Sequence, residues 1–359
     1  MRQDLMEKGN MARPTEMNLS QVDPTDETPL RWGLASIILV SFLVGTAMNG
    51  HIFWLLCVKM KRTVNTIWFL HLTLSYLVSC SCLPFFVVQD VLNFRWVFGP
   101  FLCRAVNFCI AVGMLTPVFL LTIISLDRYL ITCHPVWSRR NRTKPQARRV
   151  LAGVWTLSVV MSIPYLVSYV IQGDKKEVCE KNFAFFITED KDKAEALHYK
   201  IDLAVFLVRL LLTFLFPFFI IVGCYHWMCQ EIKKKKLARK AGKPFQVLLV
   251  SVACFFIFRL PFYLYYALLL FHKDQRKTVE VLRIIFSISL CLNICLTPIL
   301  YLFVGEKFKQ VFRTSTIVLL KKGFIMPIED TNAGEESSHL NDGSSMQMMP
   351  VQWNNLASP

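Results

Sequence analysis

The sequence predicts an all-α membrane protein: a seven-transmembrane helix bundle with a short amphipathic helix after the seventh span. Three observations carry this. Charged residues make up only 18% of the 359 positions, against about a quarter in soluble domains. Seven apolar stretches each reach the roughly 20 residues that a helix needs to cross a bilayer core. Lys and Arg gather in alternate loops between those stretches, as they do where loops face the cytoplasm.

The spans fall at Trp32–Val58, Ile67–Val88, Cys103–Leu126, Val150–Ile171, Ala204–Cys229, Val247–Phe271 and Ile284–Val304. Arg104 stands at the edge of the third, while Arg209 and Arg259 lie inside the fifth and sixth. Pro84, Pro117, Pro164, Pro217, Pro261 and Pro298 sit within spans. They would break soluble helices, but neighbouring membrane helices satisfy the freed carbonyls.

Net charge is +15, yet the basic residues flank apolar spans, which points to topology and anionic lipid headgroups rather than nucleic acid. Lys59, Lys61 and Arg62 follow the first span. The run from Arg139 to Arg149 follows the third, and Lys233 to Lys243 follows the fifth. The loop from Asp174 to Lys200 mixes acids and bases almost evenly. The expected topology is a plasma-membrane protein with residues 1–31 extracellular, the bundle over 32–304 and a cytoplasmic C-terminus. The polar first thirty residues hold no apolar signal core, so the first span is expected to direct insertion. Asn18-Leu19-Ser20 is a glycosylation sequon on the outer side. Asn141-Arg142-Thr143 matches the same pattern on the cytoplasmic side, where it has no such use.

Of twelve cysteines, nearly all lie inside apolar spans, where thiols act as small hydrophobes. No CxxC pair occurs in polar surroundings, so no zinc, redox or other metal site is expected. Cys103 and Cys179 differ in lying at or near span ends.

Several motifs stand in order on these spans. They are Gly45 with Asn49-Gly50, Trp96 with Phe98-Gly99, Asp127-Arg128-Tyr129, Trp155, Pro217 with Tyr225, and Pro298 with Tyr301. Together they make residues 32–312 resemble the rhodopsin-like G-protein-coupled receptors. His134-Pro135-Val136-Trp137 followed by Asn141-Arg142-Thr143 is similar to chemoattractant receptors, among them the formyl-peptide and prostaglandin D2 receptors. Leu74-Ser75-Tyr76 and the run Leu302 to Glu306 look most like an orphan member of that subgroup.

The resemblance implies a receptor with no enzymatic activity and no cofactor. Its expected partners are a heterotrimeric G protein, an acidic peptide or lipid ligand, membrane lipids, and an arrestin with a receptor kinase. Asp127, Arg128, Tyr129, Tyr225 and Tyr301 are the implied coupling residues, with Asp127 holding Arg128 at rest. A snorkelling arginine at a helix end is the plainer alternative. The acid on helix six that also locks this arginine in similar receptors is replaced by Ala241. Cys103 and Cys179 look like the disulfide that ties the second outer loop to helix three. The amine-binding aspartate and the retinal-binding lysine of other subgroups are replaced by Ile110 and Cys291.

Arg209, eight residues before Pro217, sits where formyl-peptide receptors carry a basic residue for an acidic ligand group. Arg283 is a second candidate anchor. Alternatively, Arg209 pairs with Asp202. The helix-three acid typical of formyl-peptide receptors is Ala111, so formyl peptides are not implied.

Three core positions depart from the family. The second-helix aspartate is Tyr76, the helix-six tryptophan is Arg259, and the asparagine before Pro298 is Thr297. Without the aspartate the family's sodium site is expected to be lost, with Arg259 as a partial stand-in and Asn293 and Tyr76 among its partners. These replacements also support a non-signalling decoy, against which the intact Asp127-Arg128-Tyr129 stands. A transporter or enzyme is disfavoured by the lack of an inverted repeat and of an intramembrane acid pair. Residues 305–322 place Phe308, Val311 and Phe312 opposite Lys307, Lys309 and Arg313, an amphipathic pattern for the inner leaflet. The polar segment 323–359 is expected to be a disordered tail.

Overall fold

A computed structural model describes residues 28–173, 177–182, 191–234, 238–271, 276–302 and 314. For residues 28–29, 191–196, 238–248, 251, 276–277 and 296–302 only the backbone is described. All the elements below lie in one compact unit, Met1–Arg313; of the second, Thr314–Pro359, only the helical Thr314 is described. Asn18, the amphipathic segment 305–322 apart from Thr314, and the tail lie outside the described residues, as do the side chains of Ala241, Thr297 and Tyr301.

Among the described residues, seven helices are long and apolar enough to cross a membrane. The first span is α1 (Thr28–Trp54), closing in a π-helical turn at Leu55–Lys59. Then come α2 (Val64–Val91), α3 (Gly99–Cys133), the short α4 (Pro135–Asn141) and α5 (Lys144–Ser168). A hairpin of β1 (Tyr169–Gln172) and β2 (Val178–Lys181) follows. The fifth span joins α6 (Lys191–Leu210) to α7 (Phe216–Lys234) through a π-helical segment at Leu211–Leu215. The last two spans lie on α8 (Ala238–Phe271) and α9 (Arg276–Leu302).

The fourth span ends earlier than its apolar run. Tyr169, Val170 and Ile171 leave the helix and pair with Lys181, Glu180 and Cys179. A short apolar run rich in aromatic and β-branched residues suits a buried strand as well as a helix, and pairing decides between them. The other six spans begin before their apolar stretches, because their polar ends extend beyond the bilayer core. Two starts are set by threonine caps: Thr63 accepts from the Thr66 N–H at 3.2 Å, and Thr143 from that of Gln146 at 3.4 Å.

The core is built around α3. Buried positions fill 67% of its apolar window, against 22–44% in the other six, so α3 is the central helix. Its Leu120, Leu121 and Ile124 share one hydrophobic cluster with Leu72, Met228, Phe255 and Ile294 of the surrounding helices. The outward faces carry exposed apolar residues such as Val40, Leu43, Val160, Phe216 and Phe219, as lipid contact requires. Close approach uses small residues. A Cβ on Gly45 would meet Ile294 Cγ2 at 3.0 Å and Cys80 Sγ at 3.1 Å. Asn49, one turn on, donates to the carbonyls of Gly45 at 2.8 Å and Ile294 at 3.2 Å, tying α1 to α9.

Candidate functional site

Functional side chains gather at three levels of the bundle: the hairpin end, the middle, and the end that carries Arg128.

At the hairpin end, Cys103 on α3 and Cys179 on β2 form a disulfide, with Cα atoms 5.8 Å apart. The hairpin is fastened at two further points: Arg104 Nε donates to the Tyr169 carbonyl at 3.1 Å, and the Trp96 N–H to that of Glu177 at 2.8 Å. Gly99 takes a positive φ of 77°, which glycine adopts without strain, and its carbonyl accepts from Trp96 Nε1 at 2.9 Å.

Arg209 projects from the last turn of α6 beneath this roof and is only 8% exposed. Its guanidinium lies over the ring of Tyr165 at 4.4 Å and that of Phe262 at 5.3 Å. The π-helical segment after it presents Thr213 to the Tyr263 hydroxyl at 2.7 Å. Asp202 is engaged elsewhere, by Lys181 of β2 and by His198 at 3.0 Å. Among the described residues no carboxylate lies within ion-pair distance of Arg209. Tyr169, stacked on Tyr165 at 6.0 Å, has its phenol raised well above the ordinary value by burial and by its neighbours Tyr266 and Tyr265, so it stays neutral.

Arg283 sits apart from that cage. It lies 4.7 Å from the Phe94 ring and 4.0 Å from Glu280. Phe94 is held at φ 63°, a costly conformation for a bulky residue, in the turn after α2.

In the middle, Tyr76, Ser79, Gly113, Arg259, Phe262 and Asn293 line one small cavity. Arg259 is 7% exposed. Its Nη2 donates to the Met114 carbonyl, its guanidinium lies 5.6 Å from the Phe255 ring, and its Nε has no hydrogen-bond partner among the described residues. Two of the three core positions that depart from the family, Tyr76 and Arg259, therefore meet at one void, with Asn293 beside them. Thr297 lies one helical turn beyond Asn293 on α9.

At the opposite end, Arg128 Nη2 donates to Asn65 Oδ1 at 2.8 Å. Asp127 does not hold Arg128 in an ion pair. Its carboxylate takes a two-pronged bond from Arg142, at 2.7 Å and 3.0 Å, and Arg142 also reaches Asn65. The reason is helix geometry: adjacent residues on a helix do not face one another. Arg142 follows α4 and approaches from outside the helix, its guanidinium fork matched to the carboxylate. Tyr129 meets His134 at 3.2 Å, while Tyr225 is buried on α7 with Ser125 and Arg128 as neighbours. The pairing roles of Asn65 and Arg142 were not legible in the sequence, nor were those of Tyr165, Phe262 and Tyr263. Arg142 stood out there only within the basic cytoplasmic run and the chemoattractant-like Asn141-Arg142-Thr143 stretch, not as a partner of Asp127.

The family model for the 7 transmembrane receptor (rhodopsin family) matches residues 48–301. Probable G-protein coupled receptor 33 of Homo sapiens is 39% identical over 81% of this chain and 87% of its own length. The C3a anaphylatoxin chemotactic receptor of Oncorhynchus mykiss is 32% identical over 84% of each chain. Chemerin-like receptor 1 of Rattus norvegicus is 31% identical over 89% of this chain and 88% of its own.

Proposed function

The chain belongs to the rhodopsin family of seven-transmembrane receptors, and on that premise we propose that it senses an acidic peptide or lipid at its hairpin end and signals to an inhibitory-class G protein at the other. As a member of that family it is a multi-pass plasma-membrane receptor and no enzyme. The hairpin end faces outward in this reading, because the basic loops around Arg139 to Arg149 and Lys233 to Lys243 belong in the cytoplasm.

One observation carries the ligand class. Arg209 is a permanent cation, buried in an aromatic cage, with no carboxylate in reach among the described residues. Burying an unpaired charge is costly, and an acidic ligand group supplies the missing partner through the guanidinium fork. Phe262 gives a route inward: its ring flanks Arg209 and also lines the central cavity beside Arg259. Displacing that ring on ligand binding alters packing in the core. Two relatives are named for chemotactic or chemerin-like ligands, which fits a peptide.

The test is inhibition of cyclic AMP in cells expressing the full receptor, screened against acidic chemotactic peptides and acidic lipids. A ligand response that Arg128→Ala abolishes at equal surface expression supports a signalling receptor. Ligand binding with identical readouts from both forms favours a decoy that captures its ligand without signalling.

A further inference from the structure

Arg259 poses a charge problem that the ligand site does not solve. It lies within the sixth span, Val252–Phe271, more than one helical turn from either end. It cannot shed its proton. None of the acids on the described spans (Asp90, Asp127, Asp202, Glu231 and Glu280) lines the cavity beside Arg259. One carbonyl, that of Met114, and the face of Phe255 supply only partial negative charge. Among the described residues the Nε–H has no hydrogen-bond partner. A full charge left like this costs several kcal/mol even after relaxation.

The void beside it measures about 20 Å³, room for a water-sized occupant. Its polar lining is rich in donors: the guanidinium, the Tyr76 hydroxyl and the Asn293 amide. The positive charge of Arg259 repels a metal ion from this position. The geometry points to a site for a small monovalent anion of chloride size, bound among Arg259, Tyr76 and Asn293. The anion neutralises Arg259 and braces α2, α8 and α9 against one another. Where family members hold a cation through an aspartate, this chain has inverted the sign of both the fixed charge and the ion. The site is independent of what binds at Arg209, and a ligand carboxylate too large for the void would not fill it.

The test uses the purified full-length receptor in detergent, without ligand, and follows thermal unfolding. Sodium gluconate is exchanged stepwise for chloride or bromide at constant ionic strength, then repeated with potassium and choline salts. We expect the melting temperature to rise saturably with halide by about 2 °C or more, whatever the cation. Arg259→Gln removes the dependence, and Tyr76→Phe, which deletes one donor at constant volume, weakens it. A melting temperature that follows the cation or ionic strength alone overturns the site, as does a full halide response in Arg259→Gln. Should Arg259→Gln fail to fold, bromide-soaked crystals of the unaltered receptor decide. Anomalous density between Arg259, Tyr76 and Asn293 supports the site, and its absence at saturating bromide overturns it.

Discussion

Arg142 grips Asp127 with two hydrogen bonds, Nε to Oδ1 at 2.7 Å and Nη2 to Oδ2 at 3.0 Å. The carboxylate is 9% exposed and the guanidinium 24%, so the pair is shielded without being sealed off. A bond to a charged group contributes about 1.5–3 kcal/mol, less when solvent reaches one partner. Arg142→Ala should lower the melting temperature of the purified receptor by about 2–6 °C. Arg142→Lys should recover less than half of that loss, since an ammonium cannot match the carboxylate with a fork. Equal melting of Arg142→Ala and the unaltered protein would show that the pair is incidental.

Asn65 is the other half of this cluster. Its Oδ1 accepts from both Arg128 and Arg142. With Asp127 occupied, Asn65 is what holds Arg128 against α2. Asn65→Ala should free the guanidinium and raise ligand-independent G-protein activity about two- to tenfold, the equivalent of losing about 0.5–1.4 kcal/mol. Nucleotide exchange on an inhibitory-class G protein in membranes gives the readout. The increase should vanish in the double variant with Arg128→Ala. Unchanged basal exchange in Asn65→Ala would mean that Arg128 is restrained elsewhere.

Much of the bundle is legible in the sequence because membrane helices obey one strong rule: about 20 apolar residues in a row. Each of the seven spans shows itself that way, and α3 overran its apolar window because Asp127 and Arg128 sit at a polar end. The hairpin was hidden, since Tyr169 to Ile171 are as apolar as the helix before them. Single charged residues in spans, Arg209 and Arg259, were conspicuous for the same reason: charge there is expensive. Their partners were not. Tyr165 and Phe262 around Arg209 are ordinary aromatic residues in sequence, and only the crossing of three helices gathers them. The Asp127–Arg142 pair needs a loop to fold back 15 positions, which no helical periodicity encodes.

Arg209 gives the sharpest test of the ligand class. Arg209→Gln keeps some donors and removes the charge, forfeiting a charge-assisted pair with an acidic ligand. Agonist potency in the cyclic-AMP assay should fall about 10- to 100-fold with surface expression unchanged. Arg209→Lys should fall between the two, since it keeps the charge and loses the fork. Equal potency for all three forms against an acidic agonist would place the ligand's acid elsewhere, with Arg283 the next candidate.

At Gly113, α3 approaches α2 too closely for a side chain. A Cβ there would lie 2.4 Å from Ser79 Oγ and about 3.0 Å from the backbone of α2. The hydroxyl can rotate away, but the backbone cannot. Gly113→Ala should therefore cost about 1–3 kcal/mol as overpacking, read as a lower melting temperature. Adding Ser79→Gly should restore only part of the loss, because the contacts with the α2 backbone remain.

Sodium should separate this receptor from rhodopsin-like receptors that carry an aspartate where Tyr76 stands. Here Tyr76 occupies that position, and Arg259 adds a positive charge to the same cavity. A sodium ion placed there meets repulsion from the guanidinium, whose attraction or repulsion grows as water is excluded. Replacing sodium with choline at constant chloride should leave basal and agonist-driven exchange unchanged. The double variant Tyr76→Asp with Arg259→Trp restores an acid and removes the cation, so it should acquire a sodium dependence that the unaltered receptor lacks. Tyr76→Asp alone should not, because its carboxylate would pair with Arg259 and leave no net charge for the ion. A steep, cation-specific sodium response in the unaltered receptor would place a sodium site elsewhere and deny Arg259 its role in the switch.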